Sequence, residues 1–206
     1  MRYNDTIKRL AALIGGLGDD AREAHFHVNG LYNGILNQWF PTVAGYVIEP
    51  QVQEDGVFMI VRHLDASRRM NSVLVVELKG PTKYNATGKR DIQTALTARM
   101  EKQFQFGHTT YGKIYGLGGI GAHWIWMACV KDITGRPTVI QMKDWTDDIT
   151  SDTSAELFHQ FALRVATIEE CMMACIPAEK PLKDAFIGQF LDVTISRMES
   201  IDATCQ

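Results

Sequence analysis

A short apolar stretch that ends in two charged residues is the feature of this sequence best suited to support chemistry. Residues 73–81 read Val-Leu-Val-Val-Glu-Leu-Lys-Gly-Pro, so an apolar, mostly β-branched run leads into Glu77 and Lys79. Such a run, closed by Gly-Pro, is typical of a strand buried on both faces. Because side chains alternate along a strand, Glu77 and Lys79 point to the same side, about 6–7 Å apart. Two buried charges cost free energy unless they are compensated, and a divalent cation on Glu77 beside an anionic substrate on Lys79 would compensate them.

The Glu77-x-Lys79 pair resembles the Glu-x-Lys half-motif of the PD-(D/E)XK nuclease superfamily. The resemblance implies a restriction-endonuclease-like αβββαβ core, which is an α/β (α+β) fold with a mixed sheet flanked by helices. It also implies that Glu77 binds Mg²⁺ or Mn²⁺, that Lys79 orients the attacking water, and that the substrate is a phosphodiester of DNA or RNA. A Glu–Lys pair at a strand end without any chemistry is the alternative.

A metal site of this kind needs a second carboxylate, which the family takes from the neighbouring strand. If the turn between the two strands is centred near residue 68, Met59 lies opposite Glu77. Only a shorter turn or a β-bulge would bring Asp55 beside Glu77. Glu49, at the end of the strand before, is a further candidate ligand. The glutamate that many members carry on the first core helix is absent from residues 30–40, unless Glu23, further upstream, substitutes for it.

Further site residues follow from the segment after the central strand. Residues 82–90 are predicted to form a polar loop in which Lys83, Lys89 and Arg90 contact phosphates. A helix is predicted from Asp91 to about Phe106, and family members often carry a glutamine on this element. The candidates here are Gln93 and Gln103.

Hydrophobic periodicity places the remaining elements around the central strand. Strands are predicted at 45–53 and 57–64, forming an antiparallel meander with the central strand, and at 111–117, 123–130 and 137–142. Helices are predicted at 3–14 and 30–40, and two more within about 153–202. The expected organisation is one domain over residues 1–206, with a nuclease-like core at about 30–142 and a C-terminal helical extension.

Composition limits the classes of function. The chain has 206 residues, 46% of them apolar, and a formal net charge of −3, so nucleic acid would have to bind to a local basic patch. No apolar stretch reaches the length of a signal peptide or of a membrane span, which predicts an intracellular protein, cytoplasmic or nuclear, with no membrane partner. The four cysteines show no Cys-x-x-Cys spacing, which indicates reduced thiols and no zinc site.

Two other patterns carry little functional weight. Residues 116–121 match G-x-G-x-x-G in letters, but the Trp-rich segment that follows is typical of a strand, so a tightly turned or bulged hairpin is expected. His25 and His27 would point about 200° apart on a helix and could then not share a metal ion.

The sequence therefore predicts a Mg²⁺- or Mn²⁺-dependent nuclease, with nucleic acid as its partner. The alternative is a catalytically inactive nuclease-like fold that binds protein or nucleic acid, and Met59 and the absent helix glutamate favour it. A globular domain unrelated to nucleases is the third possibility. The C-terminal helices cover the sheet or, as the alternative, contact a partner or a second copy in a homodimer.

Overall fold

A six-stranded mixed β-sheet flanked by helices forms the centre of the structure. The computed structural model describes residues 3–16, 21–53, 56–109, 111–131, 134–146 and 148–166. The helices are α1 (Asp5–Gly16), α2 (Ala21–Trp39), α3 (Ala86–Gln105) and α4 (Asp152–Ala166). The strands are β1 (Tyr46–Gln53), β2 (Gly56–Leu64), β3 (Met70–Lys79), β4 (Lys113–Ile120), β5 (His123–Lys131) and β6 (Pro137–Thr146). Short 3₁₀ turns cover Thr42–Ala44 and Pro81–Lys83.

The strands lie in the sheet in the order in which they follow one another in the chain. β3 and β4 are parallel and are connected through α3, whereas every other neighbouring pair is antiparallel. The predicted α+β class with a mixed sheet flanked by helices is therefore confirmed, and so is the antiparallel meander of the first three strands. All the described residues belong to one compact unit.

The two faces of the sheet carry separate apolar cores. On one face, α3 packs its buried stripe against β3, β4 and β5; the members include Ile92, Leu96, Met100, Val75 and Ile125. On the other face, α1, α2 and α4 bury a larger set that includes Tyr32, Leu36, Trp124, Phe158 and Phe161. The indole Nε1 of Trp124 donates to the Ser154 hydroxyl at 3.2 Å, which fixes α4 to the sheet.

α3 can lie close to β4 because β4 is rich in glycine. A Cβ atom at Gly118 would come within 2.5 Å of Ile92 Cγ2 and 2.7 Å of Ile125 Cγ2. Gly121 has a φ of 59° and turns the chain from β4 into β5, where Ile120 and His123 are paired. The tight hairpin expected for residues 116–121 is confirmed, and these glycines serve helix packing and the turn.

The main difference from the predicted elements lies before α3. The predicted loop at 82–90 is wrong, because α3 begins at Ala86 and not at Asp91. Asn85 caps the helix by accepting from Gly88 N at 3.0 Å. Glycine is required at position 88, in the first turn of α3, because a Cβ atom there would collide with Lys83 O.

Other boundaries shift by a few residues. α2 begins at Ala21 and includes the positions of His25 and His27, β4 ends three residues later than predicted, and β6 continues to Thr146. Of the two C-terminal helices predicted, α4 represents the first, and the segment predicted for the second lies outside the described residues.

Candidate functional site

Glu77 lies near the end of β3, and its neighbours on both adjacent strands lack carboxylates. Phe58 pairs with Glu77 on β2, and Gly118 pairs with it on β4. Cross-strand partners share a face of the sheet, so Phe58 occupies the position from which β2 could best offer a second metal ligand. The predicted pairing of Met59 with Glu77 is wrong. Met59 pairs with Val76 and belongs to the core on the opposite face.

The turn and a β-bulge together explain this difference. The β2–β3 hairpin pairs Leu64 with Met70, so the turn is centred near residue 67, and this register alone would place Val57 opposite Glu77. A β-bulge then shifts the register by one residue between Val61 and Arg62, and this shift places Phe58 opposite Glu77.

The carboxylate of Glu77 is bound by an arginine from α3. Arg99 Nε donates to Glu77 Oε2 at 2.7 Å, and the two side chains are only 24% and 6% exposed. The guanidinium carbon of Arg99 also lies 3.8 Å from the centroid of the Phe58 ring. Arg99 is thus held between a carboxylate and an aromatic face, and its positive charge stands beside Glu77.

Burial raises the pKa of Glu77 above its ordinary value, although the charges of Arg99 and Lys79 and the hydrogen bond from Arg99 act in the opposite direction. The net effect has the sign of desolvation, because the removal of water from the carboxylate outweighs its interactions with Arg99 and Lys79.

Lys79 is also paired with α3. Its ammonium lies 3.3 Å from Asp91 Oδ2, and the lysine side chain is 16% exposed. The structure therefore compensates both charges of the Glu77-x-Lys79 motif with side chains of opposite charge from one helix.

Of the other predicted metal ligands, Glu49 is described by the structure, and it lies apart from Glu77. Glu49 Oε2 accepts from Arg62 Nε at 2.9 Å. Glu49 is paired with Ile60 on β2, which faces Val75 on β3. Two strand spacings and two residues along the strand place its Cα about 12 Å from that of Glu77. Asp55 lies outside the described residues.

Neither predicted glutamine contacts the motif. Gln93 Nε2 donates to Gln141 Oε1 of β6 at 3.0 Å. Gln103 is buried and accepts from the Ser72 hydroxyl at 2.8 Å, five residues and about 16 Å along β3 from Glu77.

Arg99 is the residue that sequence reasoning missed. Ile92, Leu96 and Gln103 are buried on the sheet-facing side of α3, and Arg99 is seven residues after Ile92. Positions i, i+4, i+7 and i+11 share a helix face, so this stripe signals that Arg99 points toward the sheet. The charge of Arg99 conceals this signal, because charged residues are mostly exposed.

No three His, Cys, Asp or Glu side chains within the described ranges converge on a point where a metal ion could bind. A Mg²⁺ or Mn²⁺ site at Glu77 would need a second carboxylate and the departure of Arg99. The residues described around Glu77 therefore do not fit a divalent cation in this arrangement.

The three predicted phosphate contacts lie at one corner of the molecule. Lys83 belongs to the 3₁₀ turn after β3, and Lys89 and Arg90 to the start of α3. Lys89 Nζ lies 3.9 Å from the centroid of the Tyr84 ring, which stacks on His123 at 3.5 Å with an interplanar angle of 14°. Lys83 and Arg90 are exposed, so the corner combines solvent-accessible cations with an aromatic stack.

Comparison of the chain with protein-family models, curated proteins and solved structures found no match. Among the helices of the described segments, none is both long and apolar enough to cross a membrane.

Proposed function

We propose that this chain is a nuclease-like domain that binds nucleic acid without cleaving it. The order of the strands supports this proposal, since a three-stranded meander, a helix and a parallel fourth strand make up the αβββαβ arrangement that the Glu77-x-Lys79 motif implies. The motif also occupies the expected place, at the end of the third strand.

The observation that carries the proposal is the position of Arg99. Its Nε, 2.7 Å from Glu77 Oε2, places a fixed positive charge where a metal-dependent nuclease would need a divalent cation. Phe58 stands where β2 would supply a second carboxylate, and it holds the guanidinium from the other side. Without a bound cation to activate water and polarise the phosphate, hydrolysis of a phosphodiester has no catalyst in this site.

The cations at the start of α3 support the binding part of the proposal. Lys83, Lys89 and Arg90 lie within eight residues of one another around the 3₁₀ turn and the first turns of α3. Clustered cations of this kind contact phosphates irrespective of base sequence, and their effect declines with salt concentration. Binding is therefore expected to be local, salt-sensitive and weakly selective for sequence.

Titration of Mn²⁺ by calorimetry tests the metal part. Wild type is expected to show no saturable binding, because Arg99 neutralises Glu77. In the double variant Phe58→Asp/Arg99→Gln, two carboxylates would stand on facing positions whose Cβ atoms are about 4.5–5.5 Å apart, so one ion can bridge them. Saturable binding should appear there and be lost when Glu77→Ala is added. Saturable Mn²⁺ binding by wild type that Glu77→Ala abolishes would overturn this part.

Fluorescence anisotropy with labelled DNA and RNA tests the binding part. We expect the triple variant Lys83→Ala/Lys89→Ala/Arg90→Ala to bind more weakly than wild type and to show a smaller dependence on salt. The matched control is Lys131→Ala at the far end of β5, which should bind as wild type does. Equal binding by the triple variant and the control would show that these cations are not the contact surface.

Divalent-metal-dependent nuclease activity is the second candidate. It is favoured by the sequence, in which the carboxylate residue Asp55 directly precedes Gly56, the first residue of β2. Mn²⁺-dependent cleavage of DNA or RNA by wild type, abolished both by Glu77→Ala and by Asp55→Ala, would establish this function in place of the first.

A further inference from the structure

A cavity of about 500 Å³ opens beside the same corner, on the side of the sheet that carries α1 and α2. Its volume lies within the range of roughly 300–1,000 Å³ that is typical of small-molecule sites. Apolar atoms from Ala11, Ala12 and Ile14 of α1 form one wall, and Leu31 and Pro81 contribute to the others.

Two polar groups of opposite charge on its lining have no ionic partner among the described residues. Lys8 is exposed on α1, and no salt bridge to a described carboxylate engages its ammonium. Asp148 accepts with one oxygen, Oδ1, from Thr150 N and Thr150 Oγ1, at 2.8 and 2.6 Å. Its second oxygen, Oδ2, receives no hydrogen bond from a described residue. The lining of the cavity thus offers a cation, a hydrogen-bond acceptor and apolar surface.

The cavity is continuous with the cationic corner through Tyr84. Tyr84 and His123 both line the cavity, and Lys89 covers the Tyr84 ring with its ammonium 3.9 Å from the ring centroid. A strand whose phosphates contact Lys83, Lys89 and Arg90 would therefore reach the cavity as it passes Tyr84. Neither face of Tyr84 is open for a base to stack on, since Lys89 and His123 occupy them.

We propose that this cavity holds the terminal nucleotide of a nucleic-acid strand, with a phosphate at Lys8 and a terminal sugar hydroxyl donating to Asp148. In DNA, which lacks the 2′-hydroxyl, a free sugar hydroxyl exists only at a strand end, so this contact selects DNA ends over the interior of a DNA strand. A phosphate supplies a negative charge for Lys8, which forms no salt bridge with a described carboxylate, and the sugar and base lie against the apolar wall of α1. This inference rests on the proposed function, because it requires that the chain binds nucleic acid.

Competition between linear and circular single-stranded DNA of the same sequence and length tests the inference. A labelled linear oligonucleotide is the tracer, and the unlabelled linear and circular forms are the competitors. With the wild-type protein, we expect the linear form to displace the tracer at about one tenth of the concentration that the circular form needs. This is equivalent to about 1.4 kcal/mol for the end contacts. Circular DNA should still compete, because it can contact the cationic corner.

Ala12→Trp provides a matched blocking variant, since Ala12 is exposed on α1 and lines the cavity. The bulky ring should fill the cavity without disturbing the core and should remove the preference for linear DNA. Ala98→Trp, on the exposed side of α3, should keep that preference.

Three results would overturn the inference. If linear and circular DNA compete equally well for binding to wild type, the cavity does not bind strand ends, although the proposed function stands. If the preference persists in Ala12→Trp, ends are bound elsewhere. If neither form binds, the proposed function and this inference fail together.

Discussion

Replacement of Arg99 by glutamine tests the ion pair between Arg99 and Glu77, which fills the place of a metal ion in the candidate site. The change removes the charge that faces Glu77 and keeps a polar side chain of similar length. Removing one member of a buried ion pair costs about 3–5 kcal/mol, because the other charge remains buried without a partner. Since the Arg99 side chain is 24% exposed, we expect a loss near the lower end of that range, about 3 kcal/mol in the free energy of unfolding at neutral pH.

The loss should depend on pH in a defined direction. In the folded protein the pKa of Glu77 is raised above its ordinary value by burial, and Arg99 opposes that rise. Without Arg99 the pKa rises further, so ionised Glu77 becomes more costly in the fold. Below the ordinary carboxyl pKa, Glu77 is neutral in both the folded and the unfolded chain, and this cost vanishes. The residual effect there is the lost contact of Arg99 with Phe58, about 1 kcal/mol.

Urea unfolding of wild type and Arg99→Gln at about pH 7.5 and about pH 4 measures the effect. The expected differences in unfolding free energy are about 3 kcal/mol at the higher pH and about 1 kcal/mol at the lower. Arg9→Gln, at an exposed position of α1, is the matched control and should change stability by less than about 0.5 kcal/mol at both. A loss for Arg99→Gln that is the same at the two pH values would refute the reasoning, since the effect would then not pass through the charge of Glu77.

Two further predictions concern the elements that position the site, and both are checked by urea unfolding. Gly118→Ala should lower the unfolding free energy by about 1–3 kcal/mol, because its Cβ would lie 2.5 Å from Ile92 Cγ2, whereas Gly30→Ala in α2, with no atom within 4 Å, should raise it by about 0.5–1 kcal/mol. Equal effects of the two changes would show that β4 does not need glycine for the approach of α3. Asn85→Ala should cost about 1 kcal/mol by removing the acceptor for Gly88 N, and Asn85→Asp should restore most of it; no loss in the alanine variant would mean that α3 is not capped there.

Local patterns in the sequence were sufficient to predict most of the sheet. The run from Val73 to Leu78 identified β3, and alternating segments on either side identified the meander, because burial and turn residues act over a few neighbouring positions. The start of α3 was missed because residues 82–90 are polar and Asp91 is itself a favourable N-cap residue. Glycine is needed at position 88 because a Cβ atom there would collide with Lys83 O, and this local contact depends on how the chain passes from the 3₁₀ turn into α3.

The candidate site was less predictable, for two physical reasons. The register of β2 against β3 depends both on where the turn is centred and on a bulge at Val61 and Arg62, and the two together place Phe58 opposite Glu77. The partner of Glu77 comes from α3, and the residue that reaches it depends on how closely that helix lies against β4. Predicted ligands such as Glu49 have their own partner, which only the three-dimensional pairing of β1 with β2 reveals.

The buried charge of Glu77 in the Glu77-x-Lys79 motif can therefore be compensated in two ways. A carboxylate this deeply buried requires a compensating positive charge, and either a divalent cation or an arginine can provide it. A cation would need a second carboxylate on β2, whereas an arginine needs only a surface to pack on. In the structure the guanidinium of Arg99 packs on the Phe58 ring, so an arginine provides the positive charge. Because Phe58 and Arg99 contact each other and Glu77, both positions have to change before a divalent cation can bind to Glu77.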